Sequence, residues 1–494
     1  GNVAYSVPAA VKVEGVLQRE AFEHAIAAII MRHEILRTTF SVEPNQPPVQ
    51  KIHAEMSVPL TVITKDISSD KTIEELVRHE VEKPFDLTQL PLFNVTLVET
   101  DDDVHVLIIN MHHIISDGWS SHVFIKELGY FYQAVIHNHE TSMPPLSIQY
   151  GDYAYWQKNW LVGDVLEQQL SYWSEQLADA EILDLPTDRP RQQVMRYRGQ
   201  TCHDKVELSL VNKLKTIGQN EGATLFMTLL SSLQVLLSRY SGQKDICIGT
   251  PVAGRQTDTE ALIGMFVNTV VLRGDLTGNP GFSELLRNAR EVTLDAFAHQ
   301  DAPFEKLVDD IQPERRQNVS PLFQVMLVLQ NMPEMNMEQG DFTFSPIEAD
   351  TKTAKFYLTI MINETPDGLV FHWEYNTDLF DQSSIENMVG HYHNLLSGMV
   401  ADPEQPVSTL PMLSETEWTL MVDQWNETEV VYPSHFAVHQ MLEKQVFASP
   451  YSPAVTLNNQ SLTYTELNSR ANQLAHHLQR LGVNGGSNVA ICMS

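Results

Sequence analysis

The chain has three cysteines in 494 residues, Cys202, Cys247 and Cys492. They are scattered and odd in number, which leaves no disulfide framework and no cysteine-based metal spacing. A reducing cytoplasm is the expected location. Basic residues are also scarce, 32 against 63 acidic ones, for a formal charge of -31. Such a surface repels phosphate backbones and excludes nucleic acid as a natural partner. Its acidity favours solubility without naming a partner. There is no signal peptide and no apolar run long enough to span a bilayer, so no membrane partner is expected. No G-x-S-x-G elbow and no activated cysteine is present, which argues against covalent hydrolase chemistry. No short-period repeat is visible. The chain opens at Gly1-Asn2-Val3 without an initiator methionine. It stops at Val489-Ala490-Ile491-Cys492-Met493-Ser494, which reads as a strand interior. It is expected to be a piece of a longer polypeptide. Its length exceeds one ordinary core and implies two or three domains.

What the sequence does contain is a regular α+β pattern. Val7 to Glu14 alternates like a strand. A helix over 18–32 would bury Ala21, Phe22, Ala25, Ile26, Ile29 and Ile30. Arg37 follows in Arg32-His33-Glu34-Ile35-Leu36-Arg37, where it reads either as half-buried with a carboxylate partner or as a solvated helix-end charge. Tyr153, Trp156 and Trp160 form a helical stripe that favours the core. Asp184 to Pro190 reads as a linker. Thr224 caps a long apolar helix that ends at Gly242. Ile263 to Arg273 reads as a strand with Asn268 inside it, either as a structural bridge or facing a cavity. Asp402 to Pro433 is proline-rich and reads as an extended linker. A new unit then begins near Leu462, too short to fold alone.

The strongest local signal is Asn110-Met111-His112-His113-Ile114-Ile115-Ser116-Asp117-Gly118-Trp119-Ser120, at the end of the apolar run Val104 to Ile109. On a strand His113 shares a face with Leu107, Ile109 and Met111, and His112 lies opposite with Ile108 and Asn110. Adjacent strand histidines do not converge on one metal, so one is expected to be functional and the other structural. Asp117-Gly118 reads as a turn, with Gly118 free to take a positive φ or to let a backbone or substrate approach closely. A neutral imidazole at this place can take or relay a proton, or stabilise an oxyanion. The economical reading is one histidine acting on two substrates brought together, an acyl transfer without a covalent intermediate. Asp117 either orients His113 or pairs with an arginine. The arginine pair is favoured, because Arg37 and Arg255 stand at core-edge positions.

The segment His112 to Ser120 resembles the HHxxxDGWS signature of condensation domains of nonribosomal peptide synthetases. Arg32 to Phe40 is similar to RHExLRTxF, and Tyr150 to Gln157 to YxDYAxWQ. Ile248 to Arg255, Ile263 to Arg273 and His299 to Val308 resemble IGxPxAGR, IGxFVNTxxLR and HQDxPFExLV, in the family's order. The resemblance covers about Val3 to Leu413. The tail from about Val438 resembles the start of an adenylation domain.

The resemblance implies two chloramphenicol acetyltransferase-like lobes, residues 1–180 and 181–413, in a V-shaped pseudo-dimer with a tunnel between them. A linker over 414–437 and an adenylation fragment over 438–494 would follow. The implied reaction joins a donor peptidyl thioester to the amine of an acceptor aminoacyl thioester, each on the phosphopantetheine arm of a carrier protein. No permanently bound cofactor and no metal is implied. The partners would be upstream and downstream carrier domains and the adenylation domain of the same polypeptide. Residue by residue, His113 is the active-site histidine. His112, Gly118, Trp119 and Ser120 shape the site. Asp117 is structural and bridged to Arg37, and Trp156, Arg255 and Asn268 are tunnel candidates. The family's first motif is missing, and Tyr357 stands where Lys355-Phe356-Tyr357-Leu358-Thr359 would usually carry aspartate. The tail lacks nucleotide-binding motifs, so no ATP binding is expected. An epimerase-type relative shares HHxxxD but usually lacks Gly-Trp-Ser, and heterocyclisation relatives carry aspartates in place of both histidines. A silent module that only recruits partners is opposed by the presence of His113, Asp117 and Gly118.

Overall fold

The computed structural model describes every residue except 1–4, 43–46, 65–71, 102, 140–142, 193–195, 314–318, 331–336, 340–341, 348–351, 433–434 and 493–494. The chain divides into two compact units, Gly1–Ser414 and Glu415–Ser494.

The larger unit is built on two six-stranded sheets. In the first, the order is Met337–Gln339, Phe342–Ile347, Ser6–Glu14, Val104–His112, Phe93–Asp101, Leu60–Thr64. In the second it is Gly199–Glu207, Gly368–Asn376, Leu358–Thr365, Val325–Gln330, Asp245–Val252, Asn268–Asp275. Each sheet is mixed, with parallel pairs at Leu60–Thr64 and at both edges of Val325–Gln330. Residues of the strand Val104–His112 alternate between two cores, as the sequence parity requires. Leu107, Ile109 and Met111 join the helices Arg19–Arg32 and Gly118–Ile136, including Ala21, Phe22, Ile26, Ile29 and Phe124. Val106 and Ile108 face Val77 and Val81 of the helix Ile73–Val81. Each fully buried isoleucine or phenylalanine contributes about 1.5–3 kcal/mol, so this double burial fixes the strand's register and the position of its end. In the second lobe the helix Leu225–Ser241 runs through the core. It is capped by Thr224, whose Oγ1 accepts from Met227 N–H at 3.3 Å, and by Gly242 at φ 75°.

Several expectations need correction. The division at residue 180 is not clean, because the strands Met337–Gln339 and Phe342–Ile347 from the second half complete the first sheet. Residues 263–267 are irregular, and the strand starts at Asn268. The part of the expected linker from Asp402 to Asn426 is not extended, whereas 427–432 are exposed and form no helix or strand. Val407 and Leu410 are buried in the second core, with their carbonyls accepting from Arg239 Nη1 at 3.2 and 2.9 Å. Glu415–Asn426 forms short helical turns. Tyr153, Trp156 and Trp160 do not enter a core: the helix Tyr150–Trp160 buries no residue, and Trp156 stacks on Trp160 at 5.1 Å. The smaller unit holds a hairpin, Pro453–Leu457 and Gln460–Thr463, turning at Asn458 and Asn459, both at positive φ. The helix Tyr464–Arg480 follows. None of its described residues is buried, and 489–492 form no strand.

Tyr357 is buried, and its hydroxyl accepts from Arg191 Nε at 3.2 Å. The Arg191 guanidinium also lies 5.6 Å from the ring centroid. The tyrosine therefore still anchors an arginine, through a neutral acceptor and a ring face. Tyr357→Phe keeps the face and loses one hydrogen bond, an expected cost of about 1 kcal/mol, read as a small fall in melting temperature.

Candidate active site

The first sheet delivers the histidine pair. Pairing with Ser6–Glu14 ends at Ser6 opposite His112, and the His113 N–H donates to Tyr5 O at 2.8 Å. The chain then turns tightly. Ile115 N–H donates to His112 O at 3.0 Å, and Ser116 Oγ donates to the same carbonyl at 3.1 Å. His113 thus stands on the turn beyond the strand, not on it.

The turn fixes the imidazole tautomer. His113 Nδ1 lies 2.9 Å from the Ser116 carbonyl, which only accepts, so Nδ1 carries the hydrogen and Nε2 carries the lone pair. Among the described residues Nε2 has no protein partner. Burial pushes the His113 pKa below its ordinary value, and the nearby Lys355 ammonium pushes the same way. The Ser116 hydrogen bond and the Asp117 charge oppose them. His112 is held differently. Its Nδ1 accepts from Ile114 N–H at 3.0 Å, and its ring packs against Tyr5 and the edge of Phe85. It braces the turn, and burial, followed by coupling to His113 and the Lys355 charge, lowers its pKa as well.

Asp117 is the N-cap of the helix Gly118–Ile136. Its Oδ1 accepts from Ser120 N–H at 2.8 Å. Gly118 is the first helical residue and does not take a positive φ, so the expected glycine turn is a capping box closed by Ser120. The carboxylate also receives Arg255 Nη2 at 2.8 and 3.0 Å and Phe266 N–H at 3.2 Å. Side-chain exposure is 1% for Asp117 and 4% for Arg255, so this ion pair is desolvated. Arg255 Nη1 meanwhile donates to Thr259 O and Leu262 O at 2.8 and 2.7 Å, and its guanidinium lies 4.2 Å from the Phe266 ring centroid.

The expected Asp117–Arg37 bridge is therefore wrong. Arg37 ends a short 3-10 turn, Glu34–Arg37, beside the hairpin Thr38–Ser41 and Val49–Ile52. There it donates to His53 O at 2.6 Å and faces Glu34 at 3.6 Å. Its side chain is held by these local groups, with Nε buried and unpaired among the described residues, while Asp117 faces the second lobe. Arg255, expected in the tunnel, is the true partner. Asn268 is a structural bridge: its Nδ2 donates to Gln300 O and Ala302 O, both at 2.7 Å, and its Oδ1 accepts from Phe304 N–H at 3.1 Å. Trp156, 46% exposed, lies between Tyr153 and Trp160 on the aromatic face of its helix, with ring centroids 5.8 and 5.1 Å away.

The lobes meet around this cap. Trp119 Nε1 donates to Glu260 O at 2.8 Å, and Ser120 Oγ accepts from Gly264 N–H at 3.1 Å. Tyr150, whose hydroxyl burial keeps protonated, donates to Met265 O at 3.0 Å. A β-carbon at Gly264 would fall 2.2 Å from the Tyr150 ring, so only glycine fits there. Sequence reasoning missed His33. Its Nδ1 accepts from Ile263 N–H at 3.3 Å, and its Nε2 donates to Glu127 at 2.8 Å, in a cluster shared with Arg32. The Arg32-His33-Glu34 motif was the available signal.

Comparison with known proteins decides the family. The condensation-domain family model matches residues 1–422, and the AMP-binding enzyme model matches 442–494. The chain belongs to the condensation-domain family. It is 44% identical over its whole length to one of the linear gramicidin synthase proteins of Brevibacillus parabrevis and 42% identical to another. It spans 10% and 6% of those two proteins. It is 38% identical to a surfactin synthase protein of Bacillus subtilis over 99% of its length and 13% of that protein. Among solved structures it is similar to the X-domain from teicoplanin biosynthesis, with TM-score 0.76, 27% identity, 83% of this chain and 93% of that one. A four-domain nonribosomal peptide synthetase bound to AMP and glycine shares the fold at TM-score 0.83 and 22% identity, over 98% of this chain and 38% of that one. The fold is the family's two-lobed α+β arrangement. No single helix among the described residues is long and apolar enough to cross a membrane.

Proposed function

We propose that this condensation domain forms a peptide bond between two carrier-bound thioesters, with His113 as the group that meets the reacting amine. The carrying observation is the His113 Nε2 lone pair, set by the Nδ1 bond to Ser116 O and left free of protein partners among the described residues. The acceptor amine nitrogen attacks the donor thioester carbon, and the tetrahedral adduct collapses with loss of the donor phosphopantetheine thiolate. The nitrogen gives up one proton, which Nε2 takes and returns to the thiolate, so the step closes without a bound cofactor. Tethering both partners supplies about 7–11 kcal/mol in favourable cases, which leaves His113 a bounded share of the rate. Asp117 is scaffold: its oxygens are occupied by the cap and by Arg255, and it does not touch the imidazole's nitrogens. The carrier domains on either side, and an adenylation domain beginning within 438–494, are the partners this reading requires.

One comparison favours a second reading. The teicoplanin X-domain was also solved in complex with OxyB, at 26% identity to this chain, so a relative of this fold binds a partner protein. An in vitro assay separates the two. The chain, mixed with loaded donor and acceptor carriers, is expected to yield dipeptidyl carrier. Absence of dipeptide with every cognate pair supports recruitment, and inversion of a carrier-bound residue without dipeptide supports epimerisation.

A further inference from the structure

Lys355 lies outside the histidine turn and the ion pair that holds it. It sits in the segment that leads into the strand Leu358–Thr365 of the second sheet, yet its Nζ lies 5.3 Å from the centroid of the Tyr5 ring. Tyr5 immediately precedes the strand Ser6–Glu14 of the other lobe's sheet. Its ring stacks on His112 at 6.4 Å, and its carbonyl receives the His113 N–H. The second lobe thus places a cation against the residue that carries the histidine turn. Among the described residues no carboxylate forms an ion pair with Lys355. A half-buried ammonium without such a partner is costly, and the face of the Tyr5 ring is the contact that offsets this cost.

We propose that the Lys355 ammonium, seated on Tyr5 beside the His112–His113 turn, is a positioning residue for the chemistry of His113. This rests on the reading of His113 as the amine-facing base. A fixed positive charge in a poorly solvated site disfavours a second one nearby. Lys355 therefore keeps His113 in the unprotonated form that can accept a proton, and it does so from the opposite lobe. The site is competent when the lobes hold this spacing. The charged groups that act on His113 are Lys355 and Asp117, the adjacent His112 is itself lowered by burial and then by His113 and Lys355, and Glu374 is the carboxylate that acts on Lys355. Asp117 is paired with Arg255, and after burial the Lys355 charge is the larger of the two charges acting on the imidazole. Burial lowers the Lys355 pKa and Glu374 opposes it. The Tyr5 ring face and Glu374 both favour the ammonium form of Lys355.

The test is an NMR titration of the His113 imidazole in the 494-residue chain, assigned with His113→Gln, alongside the pH dependence of dipeptide formation. In Lys355→Gln the His113 midpoint is expected to rise and the acidic limb of the rate to move to higher pH. The rate should fall more at about pH 6 than at about pH 8, on either side of an imidazole's ordinary range. Lys355→Arg should restore both. Lys355→Met serves if the glutamine variant does not fold. An unchanged His113 midpoint in a folded, charge-free variant overturns the proposal. If the midpoint rises but the wild type makes no dipeptide, Lys355 is upheld and the peptide-bond reading falls. If dipeptide forms and the midpoint stays, the reverse holds.

Discussion

Arg255→Ala is expected to lower the unfolding free energy of the larger unit by about 3–5 kcal/mol, the cost of leaving one member of a buried ion pair unpaired. Several losses coincide. Asp117 keeps its helix-capping bond to Ser120 but becomes a carboxylate at 1% side-chain exposure without its cation. The carbonyls of Thr259 and Leu262 lose their shared donor, and the Phe266 ring loses its cationic cover. Arg255→Lys should recover little, because one ammonium cannot satisfy a carboxylate and two carbonyls in the guanidinium's fork geometry. Dipeptide formation should fall with stability, since the same pair holds the turn that presents His113. The midpoint of urea unfolding measures the first effect and the loaded-carrier assay the second.

Arg37 supplies the control. It contacts Glu34 only at 3.6 Å and otherwise one carbonyl, so Arg37→Ala should cost far less than Arg255→Ala. A larger loss at Arg37 would sink the assignment of Arg255 as the partner of Asp117. Asp117→Asn tests the same pair from the other side. Asparagine caps a helix as well as aspartate does, so the capping box survives and the change isolates the charge. Unchanged stability with activity lost would move Asp117 from scaffold to chemistry.

Local pattern makes much of this legible in the sequence. The strand parity that puts Leu107, Ile109 and Met111 on one face and Ile108 on the other holds, because a strand buried on both sides has no freedom of register. Thr224 and Gly242 bracket their helix as their residue types require. The choice between Arg37 and Arg255 is not legible. Both follow apolar stretches, and nothing local says that residue 117 faces residue 255 across a lobe boundary. Asn268 stays ambiguous for the same reason, since its partners at 300–304 are brought to it by the packing of a later helix start. The strands Met337–Gln339 and Phe342–Ile347 join the first sheet beside Ser6–Glu14, a long-range pairing that no periodicity encodes. The aromatic stripe at 150–160 misleads because helical spacing reports a common face and not what covers it. Lys355 stands two residues before Tyr357 in a segment the sequence does mark, but only tertiary structure sets it against Tyr5.

His113→Ala is expected to reduce dipeptide formation by about 10²–10⁴-fold, the usual share of a positioned general base. The residual rate reflects tethering, which the substitution leaves intact. The fold should survive, since the side chain makes one hydrogen bond, to Ser116 O, with a typical net worth of about 1 kcal/mol. His112→Ala should show the opposite balance. Its ring accepts from Ile114 N–H and packs on Tyr5 and Phe85, so stability should drop before chemistry does. The pH dependence follows from burial and Lys355 holding the His113 pKa below its ordinary 6.5. In the wild type the acidic limb of the rate should therefore lie below pH 6.5, and it should be absent from the residual rate of His113→Ala. As pH falls past 6.5 the unfolded chain binds this proton before the folded one, so the histidine's stabilising share is present above that window and is lost through it. An acidic limb at or above 6.5 would show that the free Nε2 is not the group that takes the amine's proton.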